Sequence, residues 1–264
     1  MTTTIIFTDL DGSLLHPRTY SFEDAMPALE LLREKGVPLV LCSSKTRAEI
    51  EAYRKRLDNR HPFIVENGGG ICIPDGYFPF PVEGEARGGY RVIHLGTPYA
   101  EIRKQFARLR DALKIPAIGF GDMTLDEVVS LTGLMENEAT LAMQREYDEP
   151  FVFSHAPDER LLSAIEAAGL RWTQGRFFHI MGNHHKGKAV TMLRAFFERA
   201  QGPVITIGLG DGLNDLPFLL AVDRPVLIRK ENGSYDPRVT IPGLYRTEGI
   251  GPRGWNEAIV TLLQ

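Results

Sequence analysis

The sequence has few of the features that mark secreted, membrane-bound or nucleic-acid-binding proteins. Only 2 of its 264 residues are cysteine. Cys42 and Cys72 lie far apart in apolar runs with no C-x-x-C pair, so neither a disulfide framework nor a thiolate metal site is expected, and both read as buried reduced thiols of a cytoplasmic protein. No apolar run approaches the ~18 residues that a membrane span needs. The start, Met1 to Phe7, lacks the basic region of a secretory signal. Positive charge is not in excess: Lys+Arg number 30 against 34 Asp+Glu, for a net charge of −4. Nucleic acid and anionic membranes are therefore excluded as expected partners, although a small anion held by local groups is not. There is no internal repeat and no low-complexity tract. What is present is 43% hydrophobic and 24% charged residues, enough for a packed core and too apolar for disorder.

The apolar pattern divides the chain in three. Thr4–Thr8 is a short β-branched run ending at Asp9-Leu10-Asp11-Gly12, which predicts a buried strand and a turn. Helical spacing over Ser21–Lys35 ends at Gly36, and a second strand at Val37–Cys42 runs into Ser43-Ser44-Lys45-Thr46. A helix at Arg47–Leu57 and a strand at Phe63–Val65 follow, ending in Glu66-Asn67-Gly68-Gly69-Gly70. This alternation predicts a doubly wound, Rossmann-like parallel α/β sheet, with polar residues at the carboxyl ends of its strands, where such sheets bind ligands. The rhythm breaks in the Pro- and Gly-rich stretch around residues 79–89. Strands are then expected at Tyr90–Leu95, Phe151–Ser154, Leu170–Thr173 and Arg176–Met181. Helices are expected at Tyr99–Leu113, Thr124–Leu131, Glu136–Glu146 and Asp158–Ala168. A hairpin about Gln174-Gly175 makes this an α+β insertion. After Gly182–Gly187 the α/β rhythm returns: a helix at Lys188–Arg199, a strand at Val204–Ile207, a helix at Leu216–Ala221, a strand at Val226–Ile228 and a closing helix at Trp255–Leu263. The expected division is a core of residues 1–82 plus 186–264 and an inserted cap of residues 83–185, with hinges near Pro81 and Gly182.

Three loops would meet at one sheet edge: 9–13, 43–46 and 208–215. They bring Asp9, Asp11, Asp211 and Asp215 together, and such crowding calls for a hard cation. Oxygen donors without cysteine or a ligating histidine favour Mg²⁺. Ser43 and Ser44 offer hydroxyls beside a helix start with free backbone N–H groups, and Lys186 or Lys188 offers a fixed positive charge. A carboxylate in such a setting can attack phosphorus, and a second one two residues on can move the proton. Two rival motifs fail. An EF-hand counted from Asp9 would need Gly and Glu where Leu14 and Tyr20 stand. The dinucleotide fingerprint at Gly208-Leu209-Gly210 lacks its third glycine. A metal site at His184-His185 is also not expected, because adjacent side chains point apart.

Asp9-Leu10-Asp11-Gly12-Ser13-Leu14, Ser43 after an apolar strand, Lys186-Gly187-Lys188-Ala189 and Gly210-Asp211-Gly212-Leu213-Asn214-Asp215 resemble, in this order, the four motifs of the haloacid dehalogenase superfamily of phosphatases. The resemblance implies Asp9 as nucleophile and metal ligand, and Asp11 as general acid/base whose carbonyl also reaches the metal. It implies Ser43 as phosphate binder, Lys186 as the phosphate lysine with Lys188 as the alternative register, and Asp211, Asn214 and Asp215 as metal-site residues. Asn67-Gly68-Gly69 stands where the sugar-phosphatase branch carries an Asn-Gly pair near substrate. The insertion resembles the cap of mannosyl-3-phosphoglycerate phosphatases at Gly119–Met123, Leu131–Gly133, Gln144–Phe151 and Arg176–His179. That likeness implies a phosphorylated glycoside as substrate, contacted by residues among Ser44, Lys45, Asp122, Arg145, Glu149, Arg176 and His179. Other sugar-phosphate phosphatases, a phosphosugar mutase on the same core and a non-enzymatic ligand-binding module are the alternatives.

Overall fold

A computed structural model describes residues 3–263; the outermost residues of the expected core, 1–2 and 264, lie outside the described residues. In chain order the elements are β1 (Thr3–Thr8), α1 (Met26–Glu34), β2 (Leu39–Cys42), α2 (Arg47–Arg56), β3 (Phe63–Val65), β4 (Gly70–Pro74), β5 (Glu85–Arg87) and β6 (Tyr90–His94). They continue as α3 (Tyr99–Leu113), β7 (Ala117–Gly119), α4 (Leu125–Thr132), α5 (Glu136–Ala142), β8 (Asp148–Phe153), α6 (Glu159–Ala167), β9 (Arg171–Gln174) and β10 (Phe178–Met181). The last are α7 (Lys186–Gln201), β11 (Val204–Gly210), α8 (Leu216–Leu219), β12 (Arg224–Arg229), β13 (Tyr245–Ile250) and α9 (Pro252–Leu263).

Nine strands form one sheet in the order β13-β12-β11-β1-β2-β3-β4-β6-β5. From β13 to β3 all pairings are parallel. Alternation along β1 sends Ile6 to one face, against Leu29, Ile50 and Trp255 of α1, α2 and α9. Ile5 and Phe7 go to the other, against Val190, Phe197 and Phe218 of α7 and α8. Both faces of this strand are covered, which is why it reads as a continuous apolar run. The doubly wound core is therefore as expected.

Tyr90–Leu95 is a correction. Residues 90–94 are not a cap strand; they pair antiparallel with β4, Gly70 opposite His94 through Pro74 opposite Tyr90, and so extend the core sheet. β4 and β5 were not expected: the first begins at the last residue of a triple glycine that reads as loop, and the second is exposed at all three residues and carries no apolar alternation. β13 was also missed, for Tyr245–Ile250 holds two charges and a glycine. A second sheet, β7-β8-β10-β9, is antiparallel throughout and contains the expected hairpin. Its own core packs Phe151 and Ile180 against Ile102, Phe106, Leu161 and Ile165 of α3 and α6. The chain crosses into this unit at Gly96-Thr97 and returns at Gly182. These crossings lie side by side: a Cβ on Gly182 would stand 2.9 Å from Thr97 Cβ. No helix among the described residues is long and apolar enough to cross a membrane.

Candidate active site

Asp9 directly follows β1. Its backbone N–H donates to Leu209 O of the neighbouring β11 (2.9 Å), and its carbonyl accepts from the Thr8 hydroxyl (2.7 Å). That hydroxyl in turn accepts from the Trp255 indole of α9 (2.9 Å). The side chain is thus fixed at the carboxyl edge of the sheet. Gly12, at φ +77°, turns the chain back toward Leu15, and a Cβ there would come within 2.9 Å of Asp211 Oδ2. The tight turn and the close approach of the β11 loop both require glycine.

Lys186 Nζ lies 2.6 Å from Asp9 Oδ1 and 2.6 Å from Asp215 Oδ1, with no solvent exposure. Because α7 begins at Lys186, two residues before the expected start, this lysine sits in the first turn and points inward, while Lys188 is exposed. Of the two alternatives, Lys186 lies at the carboxylates and Lys188 does not. Asp215 Oδ2 accepts from the backbone N–H groups of Asp211 (2.9 Å) and Gly212 (3.1 Å), tying its own loop together. Asp9, Asp211 and Asp215 each place one oxygen within 4.8 Å of the others. Burial pushes the Asp9 carboxyl well above its usual range, and Asp215 adds to the rise while Lys186 opposes it. Asp211 is pushed up to about 7, first by burial and then by Asp215. Burial works against the charge of Lys186, but Asp215 and Asp9 outweigh it and hold the ammonium above the ordinary lysine range. An oxygen-only cluster with this surplus of negative charge fits a hard divalent cation. Asp11 Oδ1 is buried without a protein partner.

On the second loop, Ser43 is buried and its Oγ accepts from Lys45 N (3.2 Å). Thr46 caps α2 reciprocally: its hydroxyl accepts from Glu49 N, and the Glu49 carboxylate accepts from Thr46 N. Lys45 Nζ lies 3.1 Å from Asp11 and 3.3 Å from Glu49, between the rings of Tyr20 and Tyr53. Glu66 and Asn67 both hold positive φ (45° and 56°), conformations that a non-glycine residue keeps only under external constraint. The constraint is visible. The Glu66 carboxylate accepts from the backbone N–H groups of Glu146, Tyr147 and Asp148, and the Asn67 amide donates to Asp148 (2.9 Å) and accepts from Asn214 (3.4 Å). Burial pushes Glu66 up to about 8, against the pull of Arg145.

A cavity of about 240 Å³ lies between the sheet edge and the inserted unit. Asp9, Asp11, Ser44, Lys45, Asp211 and Asn214 line it from below, and Arg145, Arg176 and His179 from above. Nine other expected site residues do not line it: Ser43, Lys186 and Asp215 are fully buried, and six more are placed elsewhere. Asp122 is paired with Arg103 (2.7 Å) and with Arg110. Glu149 is buried on Tyr99, Arg103 and the N–H of Gly121. These two acids staple the second sheet to α3, and reading them as substrate ligands is corrected. Gly68 and Gly69 press on the backbone of His185–Lys186 and on the Tyr147 ring, so they too make close packing rather than the cavity wall. Asn67 is bound to Asp148 instead, and Lys188 faces elsewhere. Sequence reasoning missed Tyr20, Glu66, Asp148 and Lys230. Lys230 lines the cavity 3.7 Å from Asp211. Of these, Glu66, in the polar turn after β3, and Asp148, inside the charged Arg145–Glu149 run, carried a sequence signal. His184 is buried and packs on Glu66 O, with no metal cluster about it among the described residues.

A parallel sheet with an acidic cluster and a buried lysine at its carboxyl edge is the arrangement expected of haloacid dehalogenase-like hydrolases, and the profile of that family matches residues 6–77. The chain is 46% identical to the glucosyl-3-phosphoglycerate/mannosyl-3-phosphoglycerate phosphatase of Methanococcoides burtonii, over 98% of this chain and 97% of that one. It is 44% identical, over the same shares, to the protein of that name from Persephonella marina. A solved Thermoplasma acidophilum structure superposes with a TM-score of 0.70 over 100% of this chain and 99% of the other, at 15% identity, a likeness of fold alone. The chain belongs to the haloacid dehalogenase-like hydrolase family that these phosphatases share.

Proposed function

We propose that the protein is a Mg²⁺-dependent phosphatase that hydrolyses mannosyl-3-phosphoglycerate to mannosylglycerate and phosphate through an aspartyl-phosphate at Asp9. The observation that carries this reading is Lys186, fully buried 2.6 Å from both Asp9 and Asp215, behind a cavity that Asp9 and Asp211 line from below and Arg145, Arg176 and His179 from above. Asp9, Asp211 and the carbonyl of Asp11 would hold the ion, with Asn214 and Asp215 supporting it. When bound, the ion supplies positive charge to the phosphoryl oxygens.

Asp9 forms a bond to phosphorus as the ester P–O bond breaks, and the Asp11 carboxyl gives its proton to the leaving oxygen. Asp11, now ionised, takes a proton from water; the water oxygen attacks phosphorus, the Asp9 O–P bond breaks, and phosphate leaves. Lys186 favours the ionised form of Asp9 and offsets charge on the phosphoryl group. Ser43, Ser44 and the free N–H groups at the start of α2 hold the phosphate. Residues 96–182 act as the cap, hinged where the two connections adjoin, and exclude water during transfer. The two buried thiols support a reducing, cytoplasmic setting.

The test is phosphate release over a panel of mannosyl-3-phosphoglycerate, its glucosyl counterpart, sugar phosphates and 3-phosphoglycerate, with Mg²⁺ and with chelator. Mg²⁺-dependent release with the glycosyl phosphoglycerates in the lead supports the reading. Equal release from simple sugar phosphates points to a broad sugar phosphatase, and no release with any phosphate ester points to a binding module.

A further inference from the structure

Four cationic side chains of Lys or Arg line the cavity: Lys45, Arg145, Lys230 and Arg176. Three of them are already committed, each to two carboxylates. Lys45 lies 3.1 Å from Asp11 and 3.3 Å from Glu49. Arg145 is paired with Asp148 and lies 3.5 Å from Glu66. Lys230 lies 3.7 Å from Asp211 and 3.5 Å from Asp236. Arg176 differs. Among the described residues it has no carboxylate partner, and its two hydrogen bonds go to neutral oxygens, the Tyr20 hydroxyl (2.7 Å) and Leu131 O (3.3 Å). A guanidinium has five N–H donors, so Arg176 keeps free donors and an unmatched charge.

The group is also held in place. It projects from the turn between β9 and β10, with its Cζ 5.3 Å from the centroid of the Phe177 ring, which packs edge-on against Phe120. Its partner Tyr20 belongs to the core and holds φ at +54°, a conformation that a tyrosine keeps only where its surroundings impose it. Having accepted from Arg176, the Tyr20 hydroxyl still has its own proton to donate. The pair therefore presents a forked cation and a hydroxyl at the mouth of the cavity whose floor is Asp9 and Asp211.

We infer that Arg176, oriented by Tyr20, is the specificity-determining residue that binds the carboxylate of the substrate, while the Asp9 end receives the phosphate; this rests on the functional reading above. The proposed substrate carries two anionic groups, and the floor accounts for only one. A planar carboxylate matches the guanidinium fork, and such a contact separates it from a neutral hydroxymethyl group of similar size.

The experiment compares mannosyl-3-phosphoglycerate with its congener in which the carboxylate is replaced by hydroxymethyl. Each is assayed with Mg²⁺ on the parent, Arg176→Gln and Arg176→Lys, with thermal unfolding of each variant as the control for folding. The ratio of kcat/KM for the two substrates is expected to fall by about 10- to 100-fold in Arg176→Gln, the range of a lost charge-assisted hydrogen bond. The fall should be carried by KM of the carboxylate substrate, and Arg176→Lys should restore part of it. An unchanged ratio, or an equal loss on both substrates, overturns the inference and leaves the phosphatase reading standing. A parent that hydrolyses neither substrate overturns both.

Discussion

Asp9 and Lys186 are 177 residues apart in sequence and meet at 2.6 Å, both side chains almost wholly buried. A carboxylate there is costly in isolation, and burial accordingly pushes Asp9 upward. The lysine, whose own charge burial disfavours and Asp215 and Asp9 retain, opposes that rise. Asp9→Asn should therefore lower phosphate release by more than about a thousandfold, since it removes the nucleophile itself. The fold should survive, because Lys186 keeps Asp215 as a partner. Loss of activity together with loss of the thermal transition would assign Asp9 a structural role instead. At this scale the gathering of Asp9, Asp11, Lys186 and the Asp211–Asp215 loop was legible in the sequence, because each follows a strand or opens a helix within a short motif. Asp122 and Glu149 were not legible. Whether an acid faces a cavity or an arginine depends on α3, whose Arg103 lies far from Glu149 in sequence and pairs with both.

Among the elements, α2 carries more than its length suggests. Its N-terminus follows Ser44 and Lys45, which line the cavity, and its capping box fixes Thr46. The Thr46 hydroxyl also donates to Leu141 O of α5, across to the inserted unit (2.9 Å). Thr46→Ala should cost about 1 to 2 kcal/mol, the upper range for a lost cap, and lower Tm by about 2–8 °C. It should also raise KM for the phosphate substrate, because the free N–H groups lose their fixed geometry. A Tm within a degree of the parent would show that the box does not hold this helix end. The Glu66–Asn67 turn is the matching device on the other side: two strained residues that bind three N–H groups and a carboxylate of the inserted unit. The elements the sequence misassigned are those that owe their state to a neighbour. Tyr90–His94 has the composition of any half-buried strand, and only its register against β4 makes it part of the core sheet.

For the molecule as a whole, the acidic cluster couples stability to pH and to metal. Asp9 is held well above its ordinary value and Asp211 is raised from 3.8 to about 7, so the folded chain binds protons more readily than the unfolded one. The stabilisation from protonating these groups is full below their unfolded values and is lost as pH rises through the folded ones. Metal-free protein should thus lose stability between about pH 4 and pH 7 on account of Asp211, other groups being equal. Mg²⁺ should raise Tm more at pH 8 than at pH 5, where protons compete for the same oxygens. Thermal unfolding with Mg²⁺ and with chelator at the two pH values checks this, and an equal or reversed shift would remove the metal from the carboxylate cluster.

The most direct measurement is the site of phosphorylation in Asp11→Asn, a variant that keeps the nucleophile and lacks the group that activates water. Given Mg²⁺ and p-nitrophenyl phosphate, whose leaving group needs no proton, it should accumulate a phosphoryl group, and peptide mass analysis after acid quench should find it on Asp9. Release of nitrophenolate with no phosphorylated protein, or with the phosphoryl group on another residue, would contradict the account.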